Sequence, residues 1–308
     1  MPVKPATNAP SIVRANSVSK FYDNKLVLDK VSLEASAGEL VGLVGANGGG
    51  KTTLLRLLTG ALTSDAGQVS VLSAQPPYDD MTRKRIGYVP QQLSLYTGMT
   101  VLENLRFYAD VYAVEDADRI INQVACRFDL DQYLDERVGD LSGGWARVAQ
   151  LAASLVYSPQ VLLLDEPTAG LDASMRSRFW AFLREYSNDG NAVVISTHDL
   201  DEAQQCDKVM FLSDGKPLLF AEPIAVIELV SVSIIFIENK EIKSKINKIS
   251  QHISQVIFQD YLGGFKVLLA GDESELIERA LCKEGVEFRR LEPSLADACA
   301  LKLAESGK

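Results

Sequence analysis

The chain has 308 residues, a formal charge of −10 and an isoelectric point near 4.9, long enough to bury a sizeable core over two domains. So acidic a chain makes a poor non-specific nucleic-acid binder, and no nucleic-acid partner is expected. Its cysteines, Cys126, Cys206, Cys282 and Cys299, form no C-x-x-C pair and stand apart from His198 and His252, which argues against zinc and for a reduced, intracellular setting.

Residues 1–10 carry prolines and no apolar core, so they are expected to form a flexible tail rather than a signal peptide. From Ser11 to about Ala221 the pattern predicts one α/β domain. The apolar run Val41–Val44 leads into Gly45–Thr52, which reads G-A-N-G-G-G-K-T, and a helical stretch, Thr52–Leu58, comes next. Strand, glycine loop and helix in that order make a phosphate cradle. Gly45, Gly48, Gly49 and Gly50 let the backbone curl its N–H groups inward. Ala46, Asn47 and Thr53 complete the cradle, and the helix end adds its positive pole. Lys51 would reach the β- and γ-phosphates of a nucleotide, and the Thr52 hydroxyl would ligate Mg²⁺.

A helical insertion is expected over about residues 97–158. Leu102, Leu105, Tyr108, Ala109 and Tyr112 recur at helical spacing. Leu141–Trp145, L-S-G-G-W, opens another helix, with Ser142 as a natural N-cap and Gly143 and Gly144 leaving room for a phosphate. Taken alone this is equally a common Ser-Gly-Gly turn. A second phosphate-type helix start beside a complete cradle suggests a nucleotide sandwiched between two subunits. Val161–Pro167, V-L-L-L-D-E-P, reads as a buried strand ending in a site: Asp165 would hold Mg²⁺ through water, and Glu166 would orient the attacking water. Ala192–Ser196 reads as another buried parallel strand, with His198 just beyond it, a residue that taken alone more often is a satisfied core histidine.

The longest apolar stretch, Ile224–Ile237, is broken by Glu228 and too short to span a bilayer. Beyond Ala221 the pattern gives strand Val232–Ile237, a helix with Ile242, Ile246, Ile249 and Ile253 on one side, strands Ser254–Gln259 and Phe265–Leu269 around Leu262-Gly263-Gly264, helix Glu273–Glu284, strand Val286–Leu291 and a last helix after Pro293. That order, β-α-β-β-α-β, is a split βαβ pattern. Residues 222–308 are therefore expected to form a small α+β, ferredoxin-like accessory domain, which adds dimer surface or covers an edge, or gates the activity of the larger domain.

These motifs together resemble the ATP-binding subunit of ABC transporters. Gly45–Thr52 matches its Walker A motif, Val161–Glu166 its Walker B, and Leu141–Trp145 its signature. The resemblance implies a P-loop NTPase core with a helical subdomain, ATP and Mg²⁺ as bound groups, and catalytic roles for Lys51, Glu166 and His198, the switch histidine. It implies that Tyr22, in S-K-F-Y-D, stacks on adenine, although Phe21 beside it is a second choice. Gln91, in I-G-Y-V-P-Q, would be the loop glutamine that senses Mg²⁺ and water, and Ala169–Asp172 the segment at the dimer seam. Two positions depart from the pattern. Ala46 replaces a frequent proline, and Trp145 replaces the signature glutamine and is large enough to pack against a neighbour instead.

Leu95–Ala109 and Leu291–Ala298 resemble the ATPases of ABC-2-type exporters. That implies a separate integral membrane permease, a second nucleotide-binding subunit, identical or related, and a place at the cytoplasmic face of the membrane. An import subunit or a soluble ABC ATPase would share the same core.

Overall fold

The computed structural model describes residues 11–238, 242–243, 246–247, 256–270, 274–283 and 285–306. The expected tail at 1–10, together with Ile249, His252 and Ile253, lies outside them.

Three strands, β3 (Leu40–Val44), β6 (Val161–Asp165) and β7 (Ala192–Thr197), are buried along their whole length. Near-continuous apolar runs of this kind suit parallel strands covered on both faces; β3 and β7 are each one residue longer than the sequence predicts, and β6 ends at Asp165, before Glu166 and Pro167. They form the middle of a six-stranded sheet. β5 (Ile86–Val89) pairs outside β6, β8 (Lys208–Ser213) lies beside β3, and β9 (Lys216–Ala221) closes the edge, giving the order β5-β6-β7-β3-β8-β9. All pairs from β5 to β8 are parallel and β9 returns antiparallel. Because the strands run together, the loops after β5, β6, β7 and β3 all leave at one end, where open α/β sheets bind ligands. Leu54, Leu55, Leu57 and Leu58 of α1 (Lys51–Leu58) pack on this sheet with Val41 and Leu43.

A second, antiparallel sheet, with β1 (Ser11–Tyr22) between β2 (Lys25–Ser36) and β4 (Ala66–Val71), lies in the same cluster. Register shifts and the left-handed Ser17 interrupt β1, which spoils the alternation that would announce it.

The insertion holds α3 (Val101–Val111), α4 (Ala117–Arg127) and α5 (Gly143–Leu155). Thr100 and Glu103 make a reciprocal capping box at the start of α3, satisfying two otherwise orphaned N–H groups. On the predicted face Leu105 and Ala109 are buried, Leu102 and Tyr108 pack beside them, and Tyr112 stacks on Tyr157 with ring centroids 3.8 Å apart. Asp172 then caps α6 (Ala173–Asn188) by accepting from the Met175 N–H.

After α8 (Pro223–Val230) come β10 (Val232–Ile237), β11 (Val256–Tyr261), β12 (Gly264–Ala270), α9 (Ser274–Lys283) and β13 (Arg289–Leu291). The strands lie antiparallel in the order β11-β12-β10-β13, the arrangement a split βαβ pattern produces. The hairpin turns at Leu262-Gly263, both with positive φ as a two-residue hairpin loop demands. Gly264 belongs to β12 rather than to the turn. The last strand is shorter than expected, because Val286 and Phe288 pack under the sheet instead of extending it.

The final helix, α10 (Leu295–Ser306), buries Leu295, Ala298, Cys299 and Leu301 in one cluster with Val226 of α8, Ala203 at the end of α7 (Leu200–Ala203) and Cys206. Burial pushes the Cys299 thiol up to about 12. Its start is held by the nearly buried Asp297, which accepts from Ser294 and pairs with Lys266 of β12 at 3.3 Å. Leu301→Ala should therefore lower the stability of the whole chain by about 2–5 kcal/mol, as a large-to-small core change does. Chemical denaturation read by tryptophan fluorescence checks it, since Trp180 of α6 lies in the same cluster, and an unmoved transition would contradict the shared core.

Candidate active site

The glycine loop leaves β3 directly. A Cβ on Gly45 would lie 2.2 Å from the Leu212 carbonyl oxygen, so β8 leaves no room for a side chain there. Gly50 takes φ 100° at the N-cap of α1, and no side chain caps that helix. The N–H groups of its first turn are therefore available to an anion. Asn47, Gly48, Gly50, Lys51, Thr52 and Thr53 line a cavity of about 400 Å³, together with Val27, Gln91 and Glu166. Lys51, only 4% exposed, donates to the carbonyls of Gly45 at 2.8 Å and Ala46 at 3.1 Å. Gly49 donates its N–H to Ala46 at 3.1 Å, which shapes the loop from within.

Asp165 ends β6, opposite Ser196 of β7. One of its oxygens accepts from the Ser196 hydroxyl at 2.6 Å. The other, Oδ2, is buried and has no hydrogen-bond partner among the described residues. A buried carboxylate oxygen left open is costly, and it fits the coordination of a cation through water. The charge of Asp165 is felt nearby: burial first, then Asp165, raises the Tyr88 phenol, while burial lowers Arg147 against the pull of Asp165.

Glu166 is where the predicted residues meet. Its Oε1 lies 3.5 Å from Lys51 Nζ, and its Oε2 accepts from Gln91 Nε2 at 3.2 Å and lies 3.5 Å from His198 Nδ1. Lys51, Glu166, Gln91 and His198 come from the segments just past β3, β6, β5 and β7. Glu166 has φ 45°, a left-handed conformation that costs a residue with a Cβ about 1–2 kcal/mol. Its N–H is held there by Ser196, through the carbonyl at 3.2 Å and the hydroxyl at 2.9 Å. Strain of this kind gathers at functional sites. Glu166 also borders a second cavity of about 240 Å³, shared with Ala169, Gly170 and His198. Of Gln91 and Gln92, the first faces the site, whereas the carbonyl of the second turns to α5.

Sequence reasoning missed the supports. Ser196 aims both acids. The nearly buried Glu202 accepts from Thr197 at 2.7 Å and Thr168 at 3.0 Å and pairs with Arg176 at 3.6 Å, tying the segments after β6 and β7 together. A polar residue inside an apolar strand or a short helix was the one available signal.

Ser142, Gly143 and Gly144 do not join this cluster. Ser142 caps α5 by accepting from Trp145 N–H at 3.4 Å, and Ser142 and Gly143 are exposed. Gly144 faces the Gly170–Met175 segment, where a Cβ would meet the Met175 sulfur at 3.0 Å. The Trp145 ring lies on Tyr133 within the same helical unit, centroids 4.6 Å apart. Trp145→Gln should cost about 1 kcal/mol of stability, the worth of an aromatic pair, and leave turnover largely unchanged. Abolished hydrolysis in a folded variant would contradict this. Tyr22 sits exposed at the tip of the β1–β2 hairpin with Lys20 5.9 Å from its ring, and Phe21 is similarly exposed. The tip is pinned by Asp65, whose carboxyl the Phe21 N–H and then Lys20 hold below the usual range. Neither ring lines the cavity at the glycine loop.

Comparison with known proteins gives the same picture. A family model described as ABC transporter matches residues 28–169. The Nod factor export ATP-binding protein I of Burkholderia thailandensis is 38% identical over 215 residues, 68% of this chain and 71% of that protein. Its namesake in Neorhizobium galegae is 37% identical over 232 residues, 73% and 67%. ABC transporter G family member 20 of Dictyostelium discoideum is 35% identical over 219 residues, which are 70% of this chain but 30% of that much longer protein. Among solved structures, cbiO1 from Clostridium perfringens, part of the cbiONQ transporter complex, superposes with a TM-score of 0.64 at 25% identity, covering 79% of this chain and 95% of that one. The dimeric bacterial ABC transporter cassette MJ0796 gives 0.64 at 25%, covering 68% and 98%. Joined to a phosphate loop and an acid at the end of the neighbouring strands, these likenesses are decisive: the chain belongs to the ABC transporter family, and its P-loop core is that family's ATPase.

Proposed function

We propose that this chain is the ATP-hydrolysing subunit of an ABC-2-type exporter, working in a head-to-tail pair beneath a separate membrane permease at the cytoplasmic face. The observation that carries the chemistry is the meeting of Lys51, Gln91 and His198 on the Glu166 carboxylate. Lys51 and the N–H groups of the loop bind the β- and γ-phosphates. Thr52, Asp165 and Gln91 would hold Mg²⁺, which supplies neutralisation of the phosphate charge when bound. Glu166 orients a water for in-line attack and takes its proton, and His198 contacts the γ-phosphate. Tyr22 offers its ring to adenine.

Ser142 caps the start of α5, where Ser142 and Gly143 are exposed and Gly144 is buried against the Gly170–Met175 segment. In the pair they would complete the partner's site, with Ala169–Asp172 at the seam; the dimeric likeness of MJ0796 supports this. The export direction is supported by the names of the relatives from Neorhizobium and Burkholderia. Among the described residues no helix is long and apolar enough to cross a membrane, and in this reading the pathway for cargo lies in the permease. Residues 11–221 would be the ATPase unit, and 222–308 an accessory unit docked on it through α10.

The experiment is to purify the chain from membranes with whatever permease accompanies it and measure phosphate release with and without that partner. An ATPase stimulated by an exporter permease is expected. A permease accompanied by a solute-binding protein would overturn the export assignment.

A further inference from the structure

α5 is apolar and buried along most of its length, yet it carries a glutamine, Gln150, that is 2% exposed. Burying a primary amide costs several kcal/mol unless its donors and acceptor are matched, on the order of 1–3 by mutational measures. All of them are matched, and nearly all by one loop. Nε2 donates to the Pro90 carbonyl at 3.3 Å, the Gln92 carbonyl at 3.0 Å and the Ser94 hydroxyl at 3.0 Å. Oε1 accepts from Arg147 Nη1 at 3.0 Å, and the same nitrogen donates to the Pro90 carbonyl at 3.0 Å. Residues 91–94 are otherwise exposed. The two carbonyls held by one amide belong to the residues on either side of Gln91, and Gln91 is the residue whose Nε2 reaches Glu166.

We infer that Gln150 is a positioning residue for hydrolysis: it fixes the loop that carries Gln91 to the helix that carries the Ser142–Gly144 start, so that Gln91 meets Glu166 in register with that helix. This rests on the proposed role of Gln91 at Glu166. Nothing about Gln150 touches nucleotide; its action runs through the backbone on both sides of Gln91. Loss of the amide frees the loop by a fraction of an ångström to an ångström, and displacements of that size are costly in an oriented site, up to about a hundredfold in rate.

The test is steady-state ATP hydrolysis by the full chain carrying Gln150→Leu, with Gln150→Met as a second variant that keeps the length of the side chain and its helix preference, each checked for folding by thermal unfolding. The expected result is a kcat reduced about tenfold with KM for ATP within about twofold, and no further loss when Gln150→Leu is added to Gln91→Ala. A purely structural Gln150 would lower the melting temperature and leave the kcat of the folded protein unchanged, which overturns the proposal. Losses that multiply in the double variant also overturn it, because Gln150 would then act by a route other than Gln91. Wild-type kcat in Gln91→Ala alone removes the role of Gln91 and the proposal with it.

Discussion

Glu166→Gln should reduce phosphate release by about a hundredfold to ten-thousandfold, the range a positioned general base supplies. It should leave ATP binding and ATP-dependent pairing intact. Glutamine keeps the shape of the side chain and can still meet Gln91 and His198, so the geometry around β6 survives. What disappears is the negative charge that, in the proposed mechanism, takes a proton from water. Lys51 loses its partner at 3.5 Å but keeps the carbonyls of Gly45 and Ala46, so the loop stays formed. Phosphate release under excess nucleotide, together with sizing in the presence of ATP, measures both halves. Turnover near the wild-type rate would remove Glu166 from its role.

Lys51→Ala should act on the other axis. Removing one partner of a buried, hydrogen-bonded charge pair costs about 2–5 kcal/mol, so nucleotide affinity should fall roughly thirtyfold or more. Titration with a fluorescent ATP analogue reads this directly. The two variants separate binding from chemistry although the two side chains touch: the change at Lys51 loses affinity, and the change at Glu166 loses turnover. A Lys51→Ala protein with wild-type affinity would mean that the loop backbone alone holds the phosphates.

Much of this site was legible in the sequence because each motif is local. Gly45–Thr52 and Val161–Glu166 sit on unbroken apolar strands, and a strand buried on both faces advertises itself. Their adjacency was not legible. The order β5-β6-β7-β3, which brings Gln91, Glu166, His198 and Lys51 to one end of the sheet, is settled by packing between segments as far apart in sequence as Leu40 and Val193, and no local pattern records it. β5 was missed because it is short and contains Gly87, and β1 because its bulges break the alternation. The left-handed backbone of Glu166 left no trace in the sequence, and the supports Ser196, Glu202 and Gln150 left only a polar residue in an apolar element, for a related reason. Each is a single polar residue whose purpose exists only once a distant segment lies against it. Trp145 was the reverse case: the sequence flagged it as out of place in a phosphate motif, and the fold gives it a partner in Tyr133.

The parallel register also sets a tolerance for change. Val44 stands opposite Thr197, and Asp165 opposite Ser196. A single-residue insertion in any of these strands would shift the downstream residues by about 3.3 Å and turn each side chain to the opposite face. The sheet could absorb that as a bulge, but Lys51, Glu166, Gln91 and His198 would no longer converge. Chimaeras with relatives should therefore splice freely through the connection between α3 and α4 and never inside β3, β6 or β7, because those strands act as the ruler against which the four side chains are cut to length.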